Sequence, residues 1–185
     1  MVSGPEGIVL EAYGTIPAIH TPIGAYPGSF VDWAYLCFGE ISRLIDQYAP
    51  EVLVIEETVA GSKGVYTQKI LEFIHFLLAR FIRDTGIKAV YLLTGEWRSV
   101  VGCKMTKEES KHNKTVKKYK EDNKTKIAYS EAGKRVGKLT KKHINIRRAN
   151  EVFGAFLKEP LRKKDEDHAD ALLLGFCYHL RRTKV

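Results

Sequence analysis

The stretch Glu51-Val52-Leu53-Val54-Ile55-Glu56-Glu57 decides the fold class, because it reads as a buried β-strand that ends in two acids. An apolar run without polar alternation suits a strand that is covered on both faces, as in the middle of an α/β sheet. The stretch from 87 to 93 is predicted to be a second buried strand. We therefore expect an α/β fold in which helices pack against a central sheet.

Helices are predicted where apolar residues recur at helical spacing. They are expected after a capping pattern at Ser29 and Asp32 up to Pro50, over 66–83, as a short turn at 96–101, over 144–157, and from about 165–167 to Arg181-Arg182. The apolar residues of 66–83 cover more than one stripe, so this helix needs burial on two sides. A twofold partner would make the chain a homodimer through this helix, and burial within one chain is the alternative.

Length and composition bound the class of protein. A chain of 185 residues suffices for one α/β domain, 1–185, and 44% hydrophobic with 28% charged residues is typical of a globular protein in water. No apolar stretch is long enough for a membrane span, and the N-terminus lacks the pattern of a secretory signal. The cysteines Cys37, Cys103 and Cys177 are widely spaced, which argues against a disulfide scaffold or zinc site. We expect a cytoplasmic protein, with Cys37 and Cys177 in the core.

Positive charge is concentrated in one segment. Between Lys104 and Arg148 there are sixteen Lys or Arg and five Asp or Glu, so this segment carries +11 and the rest of the chain −3. A basic segment on a mildly acidic body indicates a polyanionic partner such as nucleic acid, and a solvated charged face without a ligand is the alternative. Because 104–138 has few apolar residues and no clear period, we expect a basic excursion from the core at about 104–142.

The N-terminal residues predict a strand that lacks a partner. Ser3-Gly4-Pro5-Glu6-Gly7 has turn chemistry, and the residues from Ile8 to Tyr13 read as a strand. A hairpin turn needs a strand on both sides, and only Met1 and Val2 precede this one. We therefore expect that a first strand is missing upstream.

The candidate chemistry lies in acids at the ends of predicted elements. A carboxylate at the carboxyl end of a central strand stands where open α/β sheets bind ligands, and only one of Glu56 and Glu57 can face that place. Asp167 and Asp170 share a helix face, where two like charges repel unless a cation compensates them. Mg²⁺ prefers such oxygen ligands. An Asp at a helix start is also a common cap, and His168 is more often a surface residue than a ligand.

Three motifs resemble, in order, those of RuvC-type Holliday junction resolvases, in the manner of a phage or other divergent member. They are Val52-Leu53-Val54-Ile55-Glu56-Glu57 with the helix after it, Trp97-Arg98-Ser99-Val100-Val101-Gly102, and Asp167-His168-Ala169-Asp170-Ala171-Leu172. The resemblance implies an RNase H-like fold with a mixed central sheet flanked by helices, here without its first strand. It also implies a homodimer that makes paired Mg²⁺-dependent nicks across four-way DNA junctions, in the cytoplasm of a bacterium or phage-infected cell.

The resemblance assigns Glu56, Asp167 and Asp170 as catalytic metal ligands, with Mn²⁺ able to substitute for Mg²⁺. A metal-activated water would attack the phosphate in line, without a covalent intermediate. A helix that the family uses towards DNA begins near Lys141. The candidate DNA contacts are Lys63, Arg98, Lys104, Lys107, Lys141, Lys142, Arg147 and Arg148.

The chain departs from the family pattern in three respects. The Asp-bearing first strand has no counterpart, so the crossover-junction endodeoxyribonuclease that the resemblance implies is expected to be inactive or impaired as written. Val59 stands where an aromatic residue often follows the catalytic Glu, with Tyr66 the nearest aromatic, and 104–138 is longer than usual. The alternatives are a catalytically impaired nucleic-acid-binding protein of the same fold, or another RNase H-like nuclease of the transposase-like or RNA-cutting kind.

Overall fold

The structure is a computed structural model that describes residues 7–16, 28–57, 65–130 and 132–183. The chain is mixed α/β and mostly helical, with two small sheets among these residues. It divides into two compact units, which we describe one at a time. The strand unit is Gly14–Glu96, and the basic unit is Trp97–Val185 together with the N-terminal residues up to Tyr13.

The strand unit contains two long helices and two parallel strands. These are α1 (Gly28–Tyr48), β1 (Val52–Glu56), α2 (Val65–Thr85) and β2 (Lys88–Leu92), followed by the start of α3 (Thr94–Val100). Gly86 ends α2 with a φ of +72°, a backbone conformation that costs glycine little. The strands pair in register, with Glu56 opposite Leu92, as a helical crossover between parallel strands allows. Edge-on aromatic pairs join α1 to α2, namely Tyr35 with Phe73 and Phe38 with Phe81.

The predicted strands and helices of this unit are confirmed, but the predicted burial of the two strands is not. In β2, Lys88 and Tyr91 are exposed and Leu92 alone is buried. All five residues of β1 are half-buried, whereas the continuous apolar run predicted a strand buried on both faces. The physical reason is that, among the described residues, the sheet has two strands and β1 has one neighbour. The predicted loop at 61–64 lies outside the described residues.

The basic unit packs two helices side by side and adds a helix and a hairpin. Its elements are α4 (Lys107–Asp122), β3 (Ala128–Tyr129), β4 (Arg135–Val136), α5 (Lys141–Phe153), a 3-10 turn (Lys163–Asp165) and α6 (Glu166–Thr183). Phe153 of α5 meets Phe176 of α6 edge-on, with ring centroids 6.0 Å apart. The core includes Trp97, Leu173 and Cys177, each less than 1% exposed. The predicted burial of Cys37 and Cys177 as free thiols is confirmed.

The segment predicted to lack a period contains a regular helix and a hairpin, so that part of the prediction was wrong. Helix α4 begins with a capping box, in which the Thr106 side chain accepts from the Glu109 backbone and the Glu109 side chain accepts from the Thr106 backbone. Val116 of α4 and Ala128 of β3 are buried. Helix α5, predicted over 144–157, ends at Phe153.

Two asparagine side chains anchor the ends of segments that flank α5. The Asn113 amide donates to the Leu139 carbonyl at 3.0 Å and accepts from the Leu139 N–H at 2.7 Å. Asn150 makes the same two bonds with Leu161, at 3.0 and 2.8 Å. A side-chain amide carries one donor group and one acceptor, like a peptide group. Each asparagine therefore satisfies both backbone groups of one leucine.

The predicted strand over Ile8–Tyr13 was wrong. These residues form no ladder with any other part of the chain that the structure describes. A strand is defined by its pairing, because its backbone groups otherwise have only solvent as a partner. Tyr13 instead contacts His168 of α6 edge-on, with centroids 5.7 Å apart. The predicted turn at 3–7 lies outside the described residues except for Gly7.

Membrane-spanning helices were not expected from the sequence. In the described ranges, no helix is long and apolar enough to cross a bilayer.

Candidate functional site

The first turns of α6 carry the predicted acidic pair. Asp167 is exposed and Asp170 is half-buried, with 27% of its side chain accessible. Because α6 is a regular helix, these residues three positions apart lie on the same side of it. Glu166 and Asp167 lie in the first turn, where the helix dipole favours negative charge, and Arg181 and Arg182 lie in the last.

Asp170 is held by two side chains from other helices. The Asn145 amide of α5 donates to Asp170 Oδ1 at 2.6 Å, and Arg98 Nη2 of α3 lies 3.5 Å from Oδ2. The Arg98 guanidinium is itself 5.0 Å from the centre of the buried Trp97 ring. The position of the carboxylate is therefore fixed from two sides.

Two polar atoms of this cluster are buried without a hydrogen-bond partner among the described residues. They are Asn145 Oδ1 and Arg98 Nε. An unpaired buried polar atom costs about 1–3 kcal/mol, so native proteins keep few of them. Such atoms mark places where a water, an ion or a ligand group supplies the missing partner. We call Asp170, Arg98 and Asn145 the Asp170 cluster.

A lysine adds positive charge beside the acids of α6. Lys142 of α5 is exposed and pairs with Glu166. That hydrogen bond raises the pKa of Lys142, and the negative charges of Glu166, Asp167 and Asp170 raise it further. Lys142 therefore lies close enough to the acids to compensate part of their mutual repulsion.

Cys103 lies near the Asp170 cluster as a neutral thiol. Burial raises its pKa to about 11, and Asp170 acts in the same direction, while Arg98, Arg148 and Arg147 lower it. Desolvation therefore outweighs the positive charges around this thiol. Cys103 adds no negative charge to the cluster at neutral pH.

In the strand unit, Glu56 and Glu57 take different positions at the end of β1. Glu56 is half-buried and accepts a hydrogen bond from the Thr94 hydroxyl at the start of α3. Glu57 is exposed, and its backbone N–H donates to the Leu92 carbonyl in a bond of 3.0 Å. Of the two acids between which the sequence could not choose, Glu56 is the one with an oriented side chain. Val59 lies outside the described residues, as does the side chain of Tyr66.

The donor set on α6 fits Mg²⁺ in type and number. Mg²⁺ takes oxygen ligands and usually needs only one or two protein carboxylates, with waters and substrate phosphates completing its shell. Asp167 and Asp170 meet that requirement, and the unpaired Asn145 Oδ1 belongs to the amide that binds Asp170. Within the described ranges no group of three or more His, Cys, Asp or Glu stands ready to hold a metal.

The predicted DNA contacts fall into two groups. Lys104, Lys107 and Lys141 are exposed, and Lys63 lies outside the described residues. Arg147 and Arg148 are bound within the unit: Arg147 pairs with Glu109 and Glu151 and donates to the Lys104 carbonyl, and Arg148 donates to the Val101 carbonyl. Their assignment as DNA contacts stays a prediction, and the structure adds that both bind other segments of the basic unit.

Sequence reasoning missed Asn145 and the structural use of Glu109. Asn145 lies in a helix rich in Lys and Arg, and no motif marked it as the residue that orients Asp170. Glu109 had a signal, because a Thr three positions before a Glu is the capping-box pattern. Compared with protein-family models, curated proteins and solved structures, the chain matches none.

Proposed function

We propose that this protein is a metal-dependent endonuclease for branched DNA, related in mechanism and RNase H-like fold to the RuvC-type resolvases that its motifs resemble. The observation that carries the proposal is the Asp170 cluster: a carboxylate oriented by Asn145 and Arg98, with a buried oxygen left unpaired. A site oriented in this way, at a cost in unpaired atoms, favours a ligand more than a stabilising role. The basic segment 104–148 supports a polyanionic substrate.

Each residue of the proposed site has its own role. Asp167 and Asp170 would hold Mg²⁺ with its waters, and the hydrogen bond from Asn145 orients the Asp170 carboxylate. Mg²⁺ bound there would polarise the phosphate and would supply a water of lowered pKa. Arg98 and Lys142 offset the negative charge of the phosphate. Glu56, which accepts a hydrogen bond from Thr94, is assigned as a metal ligand by the resemblance alone.

The test compares Mg²⁺-dependent nicking of a four-way junction, a linear duplex and an RNA–DNA hybrid. We expect nicking of the junction above the other two substrates, abolished by EDTA and restored by Mn²⁺. The rate should be low, because the resemblance does not extend to the Asp-bearing first strand of the family. Asp170→Asn and Glu56→Gln should each lower the rate at least 100-fold without loss of binding, and Glu57→Gln, at the exposed neighbour, should leave it unchanged. Equal rates for Glu56→Gln and the unaltered protein would remove Glu56 from the mechanism.

A second function, DNA binding without hydrolysis, is favoured by one specific observation. Arg98 already neutralises part of the Asp170 charge, as a bound cation would, so the carboxylate is compensated without metal. On this alternative the protein binds branched DNA tightly in EDTA, and Asp170→Asn leaves both binding and biological activity intact.

The proposed enzyme acts in the cytoplasm and is a homodimer. The proposed dimer contact is through α2, and an exposed apolar side chain on that helix supports it. Leu77 and Leu78 of α2 are buried, whereas Phe76 next to them is 63% exposed. A large exposed aromatic on a helix with two apolar sides is a suitable anchor for a twofold contact. Light scattering should therefore give a dimer mass for the unaltered protein and a monomer mass for Phe76→Glu. Thr85→Glu, at an exposed position on the opposite side of the same helix, is the control and should leave the dimer mass unchanged.

A further inference from the structure

Helix α4 carries a row of lysines on its outer side. Lys107, Lys111, Lys114 and Lys118 are spaced four, three and four residues apart and are all exposed. At 3.6 residues per turn they fall within an arc of about 60° around the helix axis. The opposite side of α4 holds the buried Val116. We call these four residues the lysine row.

The lysine row differs from the neighbouring Lys117 of α4 in its ion pairs. In the part of the chain that the structure describes, none of the four has an ion pair, whereas the neighbouring Lys117 pairs with Glu121 at 3.6 Å. The acids of α4 lie in its first turn and its last four residues, with none from 110 to 120. Like charges three or four residues apart destabilise a helix by about 0.2–0.5 kcal/mol per pair. The helix therefore carries a charge repulsion that a bound polyanion would relieve.

The row is held rigidly and does not belong to a loose basic tail. The Thr106–Glu109 capping box fixes the start of α4, and Glu109 also pairs with Arg147 of α5 at 2.9 Å. Near the middle, the Asn113 amide binds both backbone groups of Leu139. His112 contacts the Gly137 carbonyl at 2.9 Å. The four ammonium groups thus start from a fixed helical frame, which lowers the entropy lost on binding.

The dimensions of the row fit a nucleic-acid backbone. From Lys107 to Lys118 the helix rises about 16 Å at 1.5 Å per residue. One strand of B-DNA places a phosphate about every 3.4 Å of helix axis, so four or five phosphates span that length. A membrane surface is a poorer partner, because an interfacial helix must insert its apolar side and that side of α4 is packed inside the unit.

From these observations we infer that the lysine row is a phosphate-binding surface for duplex DNA, separate from the Asp170 cluster. The inference rests on the proposed function for the choice of DNA as the partner. It adds which residues contact the backbone of a duplex arm. Four lysines contact successive phosphates without reading bases, because an ammonium group recognises phosphate as a point charge. The row therefore supplies affinity and orientation, with no sequence preference.

The test measures binding of a fluorescent 30-base-pair duplex in EDTA over a series of salt concentrations. Each phosphate contact contributes about 0.9 to the slope of log K against log salt. We expect Lys114→Gln/Lys118→Gln to lower the magnitude of the slope by about 1.8, and the variant with all four lysines replaced to lower it by about 3.6. The matched control Lys117→Gln/Lys120→Gln removes the same charge from the same helix but off the row, and should change the slope by less than about 0.9.

Several results would overturn the inference. They are equal loss in the row and control pairs, an unchanged slope in the fourfold variant, no duplex binding by the unaltered protein, and a larger loss for duplex RNA or phosphatidylserine vesicles than for duplex DNA. Circular dichroism melting checks that each variant is folded, and Lys107→Gln/Lys118→Gln replaces the fourfold variant if that one is not. Because EDTA stops hydrolysis, failure of the nuclease proposal leaves this result unaffected, and nicking with an unchanged slope would reject the lysine row alone.

Discussion

The contacts inside the strand unit differ in kind from those inside the basic unit. In the strand unit, aromatic pairs join α1 to α2 and apolar strands pair in parallel. The basic unit also has an apolar core, but side chains such as Asn113, Asn150 and Arg147 connect its elements by hydrogen bonds to backbone atoms. The comparison teaches that a segment with little apolar surface can be ordered by polar side chains. Because the chain has two tryptophans, Trp33 in α1 and Trp97 in α3, fluorescence reports on each unit.

The largest expected difference between the units is the cost of removing a core leucine. Leu173 of α6 has no exposed surface, whereas Leu53 of β1 is half-buried. Leu173→Ala should lower the free energy of unfolding by about 2–5 kcal/mol, and Leu53→Ala by less than half as much, because the cavity left behind is smaller. Urea unfolding followed by tryptophan fluorescence and circular dichroism measures both. An equal or larger cost at Leu53 would contradict the comparison.

A smaller effect is expected from the arginine that connects the helices of the basic unit. Arg147→Ala removes hydrogen bonds to Glu109, Glu151 and the Lys104 carbonyl and should cost about 2 kcal/mol, since a third of this side chain is exposed. Arg162→Ala, an exposed arginine paired with Glu159, should cost less than about 0.5 kcal/mol. Urea unfolding distinguishes the two. Similar costs would show that the bonds of Arg147 do not hold the unit together.

Acid should weaken the basic unit through Glu109. Burial raises the pKa of Glu109, but hydrogen bonds from the Thr106 backbone and from Arg147 outweigh it, so the pKa is below its usual value of 4.5. A carboxyl whose pKa falls on folding stabilises the folded state above about pH 4.5, and this contribution is lost as the pH falls through the folded-state pKa. Between pH 7 and pH 3 the stability gap between the unaltered protein and Glu109→Gln should therefore close. Glu108→Gln, at the exposed neighbour, should show no such convergence.

The smallest expected effect is on the alkylation rate of the Cys103 thiol, and it does not involve the free energy of unfolding. Because its pKa is about 11 against a usual 9.0, Cys103 has about a hundredfold less thiolate at pH 8 than an ordinary cysteine. Alkylation by iodoacetamide, followed by mass spectrometry of the Cys103 peptide, should be slower than in urea by at least that factor. Equal rates in the folded and unfolded protein would show that the thiol is not desolvated.

The sequence predicted the elements that carry an apolar period and missed those that do not. Helices α2 and α6 and both long strands followed from periodicity or from continuous apolar runs. Helix α4 did not, because its inner side contains one buried apolar residue, Val116, together with Asn113, His112 and Glu109. One apolar residue gives no period. The capping box at Thr106 was the available signal.

For the site, sequence reasoning predicted the acids and not their surroundings. The spacing of Asp167 and Asp170 on α6 followed from the helical period. The contact of Arg98 with Asp170 and the hydrogen bond from Asn145 depend on how α3 and α5 pack around α6. Packing of that kind joins residues 25 or more positions apart, and no local pattern encodes it. The prediction of a strand at Ile8–Tyr13 was wrong for a related reason. A strand needs a second segment to pair with, and the prediction assumed such a segment upstream.

The paired bonds of Asn113 and Asn150 have a consequence for the lifetime of the protein. Deamidation, a spontaneous ageing reaction of asparagine, turns the side chain into aspartate and replaces the donor by a second acceptor. The carbonyl of Leu139 or Leu161 would then face a negative charge in place of an N–H group. One such event at either position would loosen the attachment of a segment beside α5, so old molecules and fresh ones would differ in how firmly the lysine-bearing half of the chain is held.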